Sequence, residues 1–281
     1  MFKINNFIFK INNPYSIPLP INMNKFICHD INYNYIYDIE VNDIIDVYED
    51  SFHYTKDNIK IIINHSLEKR YLYIPGYPSP YAVCEEISDN HSIIKIQKDF
   101  VDSMSIDTMF VSLLSLERRM YQYNQYILHS SFVLYNDTAI LFTAPSGTGK
   151  STQADLWHKY RNTRTINGDR SLLVKKDNCY YACGWPICGS SEICFNEMYP
   201  ISSIVVLSQG KENKIEEMDT KDKFKKLLSE ITINYHNTDF VMKAMDFIED
   251  ITSHIPIYHL TCTISEDAVK CLENKIKKAI T

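Results

Sequence analysis

TAILFTAPSGTGKSTQADLWHKY, residues 138–160, decides how this chain reads. Thr138 to Ala144 is a β-prone, nearly unbroken apolar run of the kind that forms a buried strand. QADLWHKYR, from Gln153, spaces its apolar residues as a helix does. Between the two, Ala144 to Ser151 fits the pattern G-x-x-x-x-G-K-[ST], with Ala144 standing where the first glycine would be. A strand that delivers the chain into such a loop turns backbone N–H groups inward around an anion, and the following helix points its positive end at the same place. Gly147 and Gly149 let the backbone approach without a Cβ in the way. The expected phosphate cradle is therefore Pro145, Ser146, Gly147, Thr148, Gly149, Lys150, Ser151 and Thr152. Lys150 would reach the outer phosphates and the Ser151 hydroxyl would ligate Mg²⁺.

Such a loop needs an acidic partner to hold Mg²⁺ or to act as a base. Asp169, in TINGDRSLL, follows a short β-run shortly after the loop helix and is the candidate; a plain Gly-Asp turn is the alternative. Arg170 reads equally as a phosphate contact or a solvated side chain. His129 lies in YILHSSFVLY, the strand expected just before TAILFTA, with Asn136-Asp137 as the intervening turn. If those strands are neighbours, its imidazole approaches the loop.

Further out, residues 1–101 read as a β-rich lobe. IIDVYED, NIKIIINHS and RYLYIPG are β-prone, and prolines at 14, 18, 20, 75, 78 and 80 exclude long helices. A helix is expected from about Asp102 to Tyr123. Residues 102–281 then alternate strands and helices, including TRTINGD, SLLVKK, CYYACGW, PISSIVVLSQG and PIYHLTCTI as strands. Lys221 to Ile248 reads as helical, and EDAVKCLENKIKKAI as a terminal amphipathic helix. That alternation indicates an α/β domain. The KDKFKK run at 221–226 reads as a solvated face.

The chain has 281 residues, is 45% hydrophobic and carries a formal net charge of -6, so it can build a core and is not disordered. No apolar run is long enough to span a membrane. MFKINNFIFKINN lacks the apolar region and cleavage site of a signal peptide, so a cytoplasmic location is expected. The acidic balance argues against nucleic acid as a partner. Nothing in the sequence decides for or against a homo-oligomer.

Glycine is scarce: of seven, five (Gly147, Gly149, Gly168, Gly184 and Gly189) fall between residues 147 and 189. That clustering points to backbone constraints in the loop, the Gly-Asp turn and the GWPICGSS connection, where Ser190, Ser191 and Glu192 would border an acceptor site. Cys179, Cys183, Cys188 and Cys194 lack the C-x-x-C spacing of a zinc site and read as free, buried thiols.

From His129 to Gly210 the chain resembles the catalytic domain of HPr kinase/phosphorylase, whose fold is related to phosphoenolpyruvate carboxykinase. The segments LHSSFVLYNDTAILFTAPSGTGKSTQADLW, INGDRSLLV, GWPICGSS and SSIVVLSQG carry the likeness. It implies an α/β fold with a P-loop-containing mixed sheet behind a β-rich N-terminal lobe. His129 matches that family's active-site histidine, Lys150 and Ser151 its P-loop lysine and metal-binding hydroxyl, and Asp169 its Asp-Asp motif. Here the pair is Gly168-Asp169, so one carboxylate is missing; shifted by one, Arg170 would be the replacement. The family's later glycine-rich signature has no clear counterpart.

The likeness is nearer to HPr-kinase-like proteins that accompany peptide-modifying systems, some of which phosphorylate a peptide hydroxyl. The expected activity is an ATP- and Mg²⁺-dependent kinase acting on a hydroxyl of a peptide, protein or small molecule. The alternatives are a nucleotide-binding sensor or assembly protein without transferase activity and, more remotely, carboxykinase chemistry.

Overall fold

The computed structural model describes residues 1–47, 52–56 and 58–280, with the side chains of 279 and 280 outside the description. It divides into two compact units, Met1–Leu116 and Glu117–Thr281. Both are built on mixed sheets, and helices flank the second, which gives an α/β protein.

The first unit holds β1 (Phe2–Ile4), β2 (Phe7–Asn12), β3 (Tyr35–Asn42), β4 (Tyr54–Lys56), β5 (Ile59–Asn64), β6 (Leu67–Leu72), β7 (Ala82–Ser88) and β8 (His91–Gln97). They form one sheet in the order β1-β2-β3-β8-β7-β6-β5-β4, with β2, β3 and β8 parallel and the rest antiparallel. NIKIIINHS and RYLYIPG supply β5 and β6. In IIDVYED, Ile44–Val47 forms no strand, and the remainder lies outside the described residues.

The helix expected over 102–123 is instead three pieces. A 3-10 segment covers Lys98–Ser105, then come α1 (Asp107–Leu113) and α2 (Leu116–Gln122). Ser115 breaks the run with a left-handed φ of 51°, which a continuous α-helix does not tolerate.

The second unit holds β9 (Gln125–Tyr135), β10 (Thr138–Thr143), α3 (Lys150–Arg161), β11 (Arg164–Asn167), β12 (Arg170–Lys176), β13 (Cys179–Cys183), β14 (Met198–Gln209), β15 (Lys214–Glu217), α4 (Thr220–Glu230), α5 (Thr238–His254), β16 (Ile257–Cys262) and α6 (Glu266–Ile280). Two long strands organise it. β9 pairs with β12 over Gln125–His129, then with β10 over Ser130–Tyr135 and with β11 alongside. β14 pairs first with β13 and then lies parallel between β10 and β16. The β9–β10 hairpin turns on Asn136 and Asp137, both at positive φ, as a tight two-residue turn demands.

Period-2 alternation sends each strand's side chains into two cores. Ile140, Phe142, Val205 and Leu207 pack with Ala154, Trp157, Leu272 and Ile276 of α3 and α6. Ala139, Leu141, Ile204 and Val206 pack with Leu227, Phe240, Ile248 and Ile251 of α4 and α5. Covered on both faces, β10 is buried along nearly its whole length, which is why TAILFTA is continuous rather than alternating.

The helix expected over 221–248 is interrupted. Asp219 and Asn237 cap α4 and α5, and the chain between them leaves the helix to pair Ile231 with Leu128 of β9. The Lys221, Lys225 and Lys226 side chains are exposed. Cys183, Cys188 and Cys194 are buried, whereas Cys179 is exposed at the start of β13, unlike the buried thiol expected there. Among the described residues no helix is long and apolar enough to cross a membrane.

Candidate functional site

The loop from Ala144 to Gly149 connects buried β10 to the first turn of α3. Gly147 and Gly149 adopt φ of 78° and 116°, and an added Cβ at either would meet nothing within 4 Å. Their need for glycine is thus conformational, not a matter of crowding. Pro145, Ser146 and Ser151 are exposed. Lys150 turns back instead: its ammonium donates to Ala144 O at 2.8 Å, and its side chain is only 7% exposed. Burial pushes its pKa down, opposed by the negative charges of Asp169 and Glu230.

His129 lies where β9 changes partners. One edge of β9 is taken by β12 and β11, and Arg170 stands opposite His129 in that ladder. On the other edge β10 pairs from Ser130 onward, while Ile231 and Thr232 bond to Leu128 and Ile127. His129 O falls in the gap and accepts from the Thr143 hydroxyl at 2.9 Å. Alternation along β9 puts His129 on the face of Val133, the one that packs on α3.

The imidazole has a carboxylate at each nitrogen. Nδ1 donates to Glu230 Oε2 at 3.1 Å, and Nε2 lies 3.4 Å from Asp169 Oδ1. The other oxygen of Asp169 faces Arg170 Nε at 3.3 Å, and the Arg170 guanidinium also reaches Thr232 Oγ1 at 3.3 Å. The His129 imidazole, then Arg170 and Lys150, hold the Asp169 carboxyl below the usual carboxylate range against the opposing effect of burial.

The Gly-Asp turn is built by a residue that the sequence does not advertise. Asn167 is fully buried; its Oδ1 accepts from Asp169 N and Arg170 N, and its Nδ2 donates to Trp185 O and Ile187 O. One amide thereby aims Asp169 and anchors the GWPICG connection. Gly189 then passes so close that its Cβ would lie 3.1 Å from Asp169 Cβ. Ser190 and Glu192 are exposed, while Ser191 donates to Cys188 O at 2.7 Å and closes its own turn.

On the other side of the loop is a cavity of about 370 Å³, lined by Thr148, Thr152, Gln153, Gln209, Thr263 and Ile264 among others. It lies beyond the carboxyl ends of the parallel strands β10, β14 and β16, the usual place for ligands in sheets of this kind.

Lys150, Asp169, His129 and Arg170 lie near one another, and Ser151 sits one residue beyond Lys150. Glu230, Asn167, Thr143 and Thr232 complete the cluster without a sequence signal of their own. No group of three or more His, Cys, Asp or Glu side chains suited to a metal ion occurs among the described residues.

No curated protein is significantly similar to this chain. Among solved structures, the Hpr(Ser) kinase/phosphatase from Coxiella burnetii is similar at 11% identity and a TM-score of 0.33, over 55% of this chain and 99% of that one. Residues 93–277 match the family described as SynChlorMet cassette protein ScmC. The chain belongs to the ScmC family.

Proposed function

We propose that the second unit is an ATP-dependent phosphotransferase that passes a phosphoryl group to a hydroxyl, such as a serine of a peptide or protein. The observation that carries this reading is the convergence of a buried lysine, a histidine and a carboxylate beside an open glycine loop at the start of a helix. A lysine held mostly out of water, with its ammonium on a backbone carbonyl, is a cation prepared for an anion. The loop amides and the N-terminus of α3 add positive potential at the same point.

ATP fits this donor set, and the adjoining cavity offers room for its nucleoside. The Ser151 hydroxyl and the Asp169 carboxylate are hard oxygen ligands suited to Mg²⁺. When bound, the metal supplies charge neutralisation on the phosphate oxygens. Lys150 and the loop amides hold the phosphates, Arg170 steadies Asp169, and His129 faces the place where the acceptor oxygen and phosphorus meet. The test is transfer of labelled γ-phosphate from ATP in the presence of Mg²⁺, with Lys150→Ala as the control.

One observation favours a second reading, a nucleotide-binding sensor or assembly protein. Gly168 stands where the HPr kinase/phosphorylase family, which this segment resembles, carries a carboxylate, and its Cβ position is already filled by Ser191. ATP binding without transfer or hydrolysis would support that reading.

A further inference from the structure

We infer that Gln153 makes the nucleotide site selective for a base that carries an exocyclic amine, adenine in place of a 6-oxo purine, by presenting its side-chain carbonyl oxygen to that amine. This inference rests on the nucleotide site of the phosphotransferase reading above.

Gln153 stands in the first turn of α3, where its N–H bonds to Gly149 O at 2.9 Å. It lines the cavity beside the loop and is 2% exposed. Among the described residues that line this cavity, Gln153 alone is buried. Its amide nitrogen donates to Cys262 Sγ, at the end of β16, at 3.2 Å. Its Oε1 is buried and has no hydrogen-bond partner among the described residues. A buried acceptor left in that state is costly, and in a native fold it points to a ligand that supplies the donor.

The orientation of the amide is set by its neighbour. The Cys262 thiol donates to Ser208 O at 3.7 Å, so its sulfur accepts from Gln153, and only the amide nitrogen can donate there. The carbonyl oxygen therefore takes the other direction. Two further polar side chains of the wall are committed to the protein. Gln209 Nε2 donates to Gly147 O at 3.4 Å and to Thr148 O at 3.3 Å. The Thr263 hydroxyl lies 3.2 Å from Asn213 Oδ1 and 2.8 Å from Ser265 Oγ.

A lone acceptor selects its ligand by the donor that the ligand brings. The base is the flat, weakly polar end of a nucleotide and gains most from leaving water, so it belongs at the buried wall. The phosphates and sugar stay on the side of Gly147 and Gly149. Adenine carries an amine at C6 that donates a hydrogen bond. The hypoxanthine of ITP carries an oxygen there, which would face the Gln153 oxygen with lone pair against lone pair. The two bases are nearly equal in size, so shape does not separate them. A site built around a hydrogen bond does, because the wrong base leaves the buried group unpaired.

Calorimetric titration of the full chain in EDTA, where no transfer takes place, tests this with ATP, ITP, 2′-deoxy-ATP and tripolyphosphate. ATP should bind about 10- to 100-fold more tightly than ITP, the scale of one buried acceptor satisfied in one complex and not in the other. The 2′-deoxy nucleotide should match ATP. Gln153→Leu should bring ATP down to the affinity of ITP and leave tripolyphosphate unchanged. Cys262→Ala frees the amide to turn and should narrow the ratio of ATP to ITP. Cys262→Ser keeps an acceptor for the amide nitrogen and should preserve that ratio.

Equal affinities for ATP and ITP in the wild type, or a preference for ATP that survives in Gln153→Leu, would overturn the inference while leaving the phosphotransferase reading intact. So would a loss confined to 2′-deoxy-ATP, which would assign the oxygen to the sugar. If Gln153→Leu loses tripolyphosphate as well, the loop itself is disturbed and the two Cys262 variants decide. Equal ratios in both would then overturn the inference. A wild type that binds none of the four ligands would remove the nucleotide site, and with it the phosphotransferase reading and this inference together.

Discussion

A Cβ at Gly168 would lie 1.9 Å from Ser191 Oγ and 2.5 Å from Ser191 Cβ. The side chain that closes the GWPICGSS turn therefore occupies the volume in which any side chain at position 168 would begin. Gly168→Ala should lower stability by about 1–3 kcal/mol, the usual cost of overpacking. Ser191→Gly in the same chain should recover part of the loss. Thermal denaturation of Gly168→Ala, Ser191→Gly and the double variant decides it, and an equal loss with and without Ser191 would count against the steric account.

Asn167 is the second place where the turn can be broken. Asn167→Ala would leave Asp169 N, Arg170 N, Trp185 O and Ile187 O without this partner. The expected destabilisation is about 2–4 kcal/mol, because buried backbone groups lose their bonds together. Denaturant unfolding measures it, and a change below about 0.5 kcal/mol, typical of surface substitutions, would contradict the assigned role.

Glu273 predicts a pH dependence away from the site. It accepts from Arg161 Nε at 2.8 Å and from Tyr135 Oη at 2.7 Å, and pairs with Lys277, tying α6 to α3 and β9. The Arg161 guanidinium, with help from Lys277 and Tyr135 and against burial, holds its carboxyl down at about 2, from an ordinary value of 4.5. A carboxylate depressed on folding contributes stability above its unfolded pKa and loses it as pH falls through the folded one. Glu273→Gln should therefore cost about 1–3 kcal/mol at neutral pH, and the gap from wild type should close between about pH 4.5 and 2. Parallel unfolding midpoints across that range would exclude the linkage.

The cavity beside the loop predicts a separation of affinities. Ile264 is 80% exposed at its rim, with Thr263 and Gln209 beside it. Ile264→Asp should weaken ATP binding by about tenfold, a single apolar contact replaced by a charge, and leave tripolyphosphate binding little changed. Calorimetric titration with both ligands distinguishes them; an equal loss for each would place the nucleoside elsewhere.

How far the sequence could be read follows from the range of the interactions involved. Residues 138–160 carry a buried strand, two scarce glycines and a helix in one local run, so β10, the loop and α3 are all legible there. The terminal helix is legible for the same reason, its amphipathic period coinciding with α6. Asp169 could be picked out because it follows a short β-run soon after the loop helix, and His129 because it lies in the strand just before TAILFTA. Glu230 could not, since LLSEIT looks like the interior of a longer helix. Only the pairing of Ile231 with Leu128, a contact between distant segments, ends α4 there. The continuous helix expected up to Tyr123 fails similarly at Ser115, where no glycine or proline announces the left-handed turn. Asn167 was invisible because a buried amide bridging two loops has no periodicity.

The most direct test of the central claim follows labelled γ-phosphate from ATP in Mg²⁺, to water and to serine-containing peptides, in wild type and Lys150→Ala. The account predicts release or transfer by the wild type and a loss of at least about 10²-fold in the variant, the scale expected when a preorganised charge on the phosphates is removed. Wild-type turnover in Lys150→Ala, or tight ATP binding by the wild type with neither transfer nor hydrolysis, would contradict it.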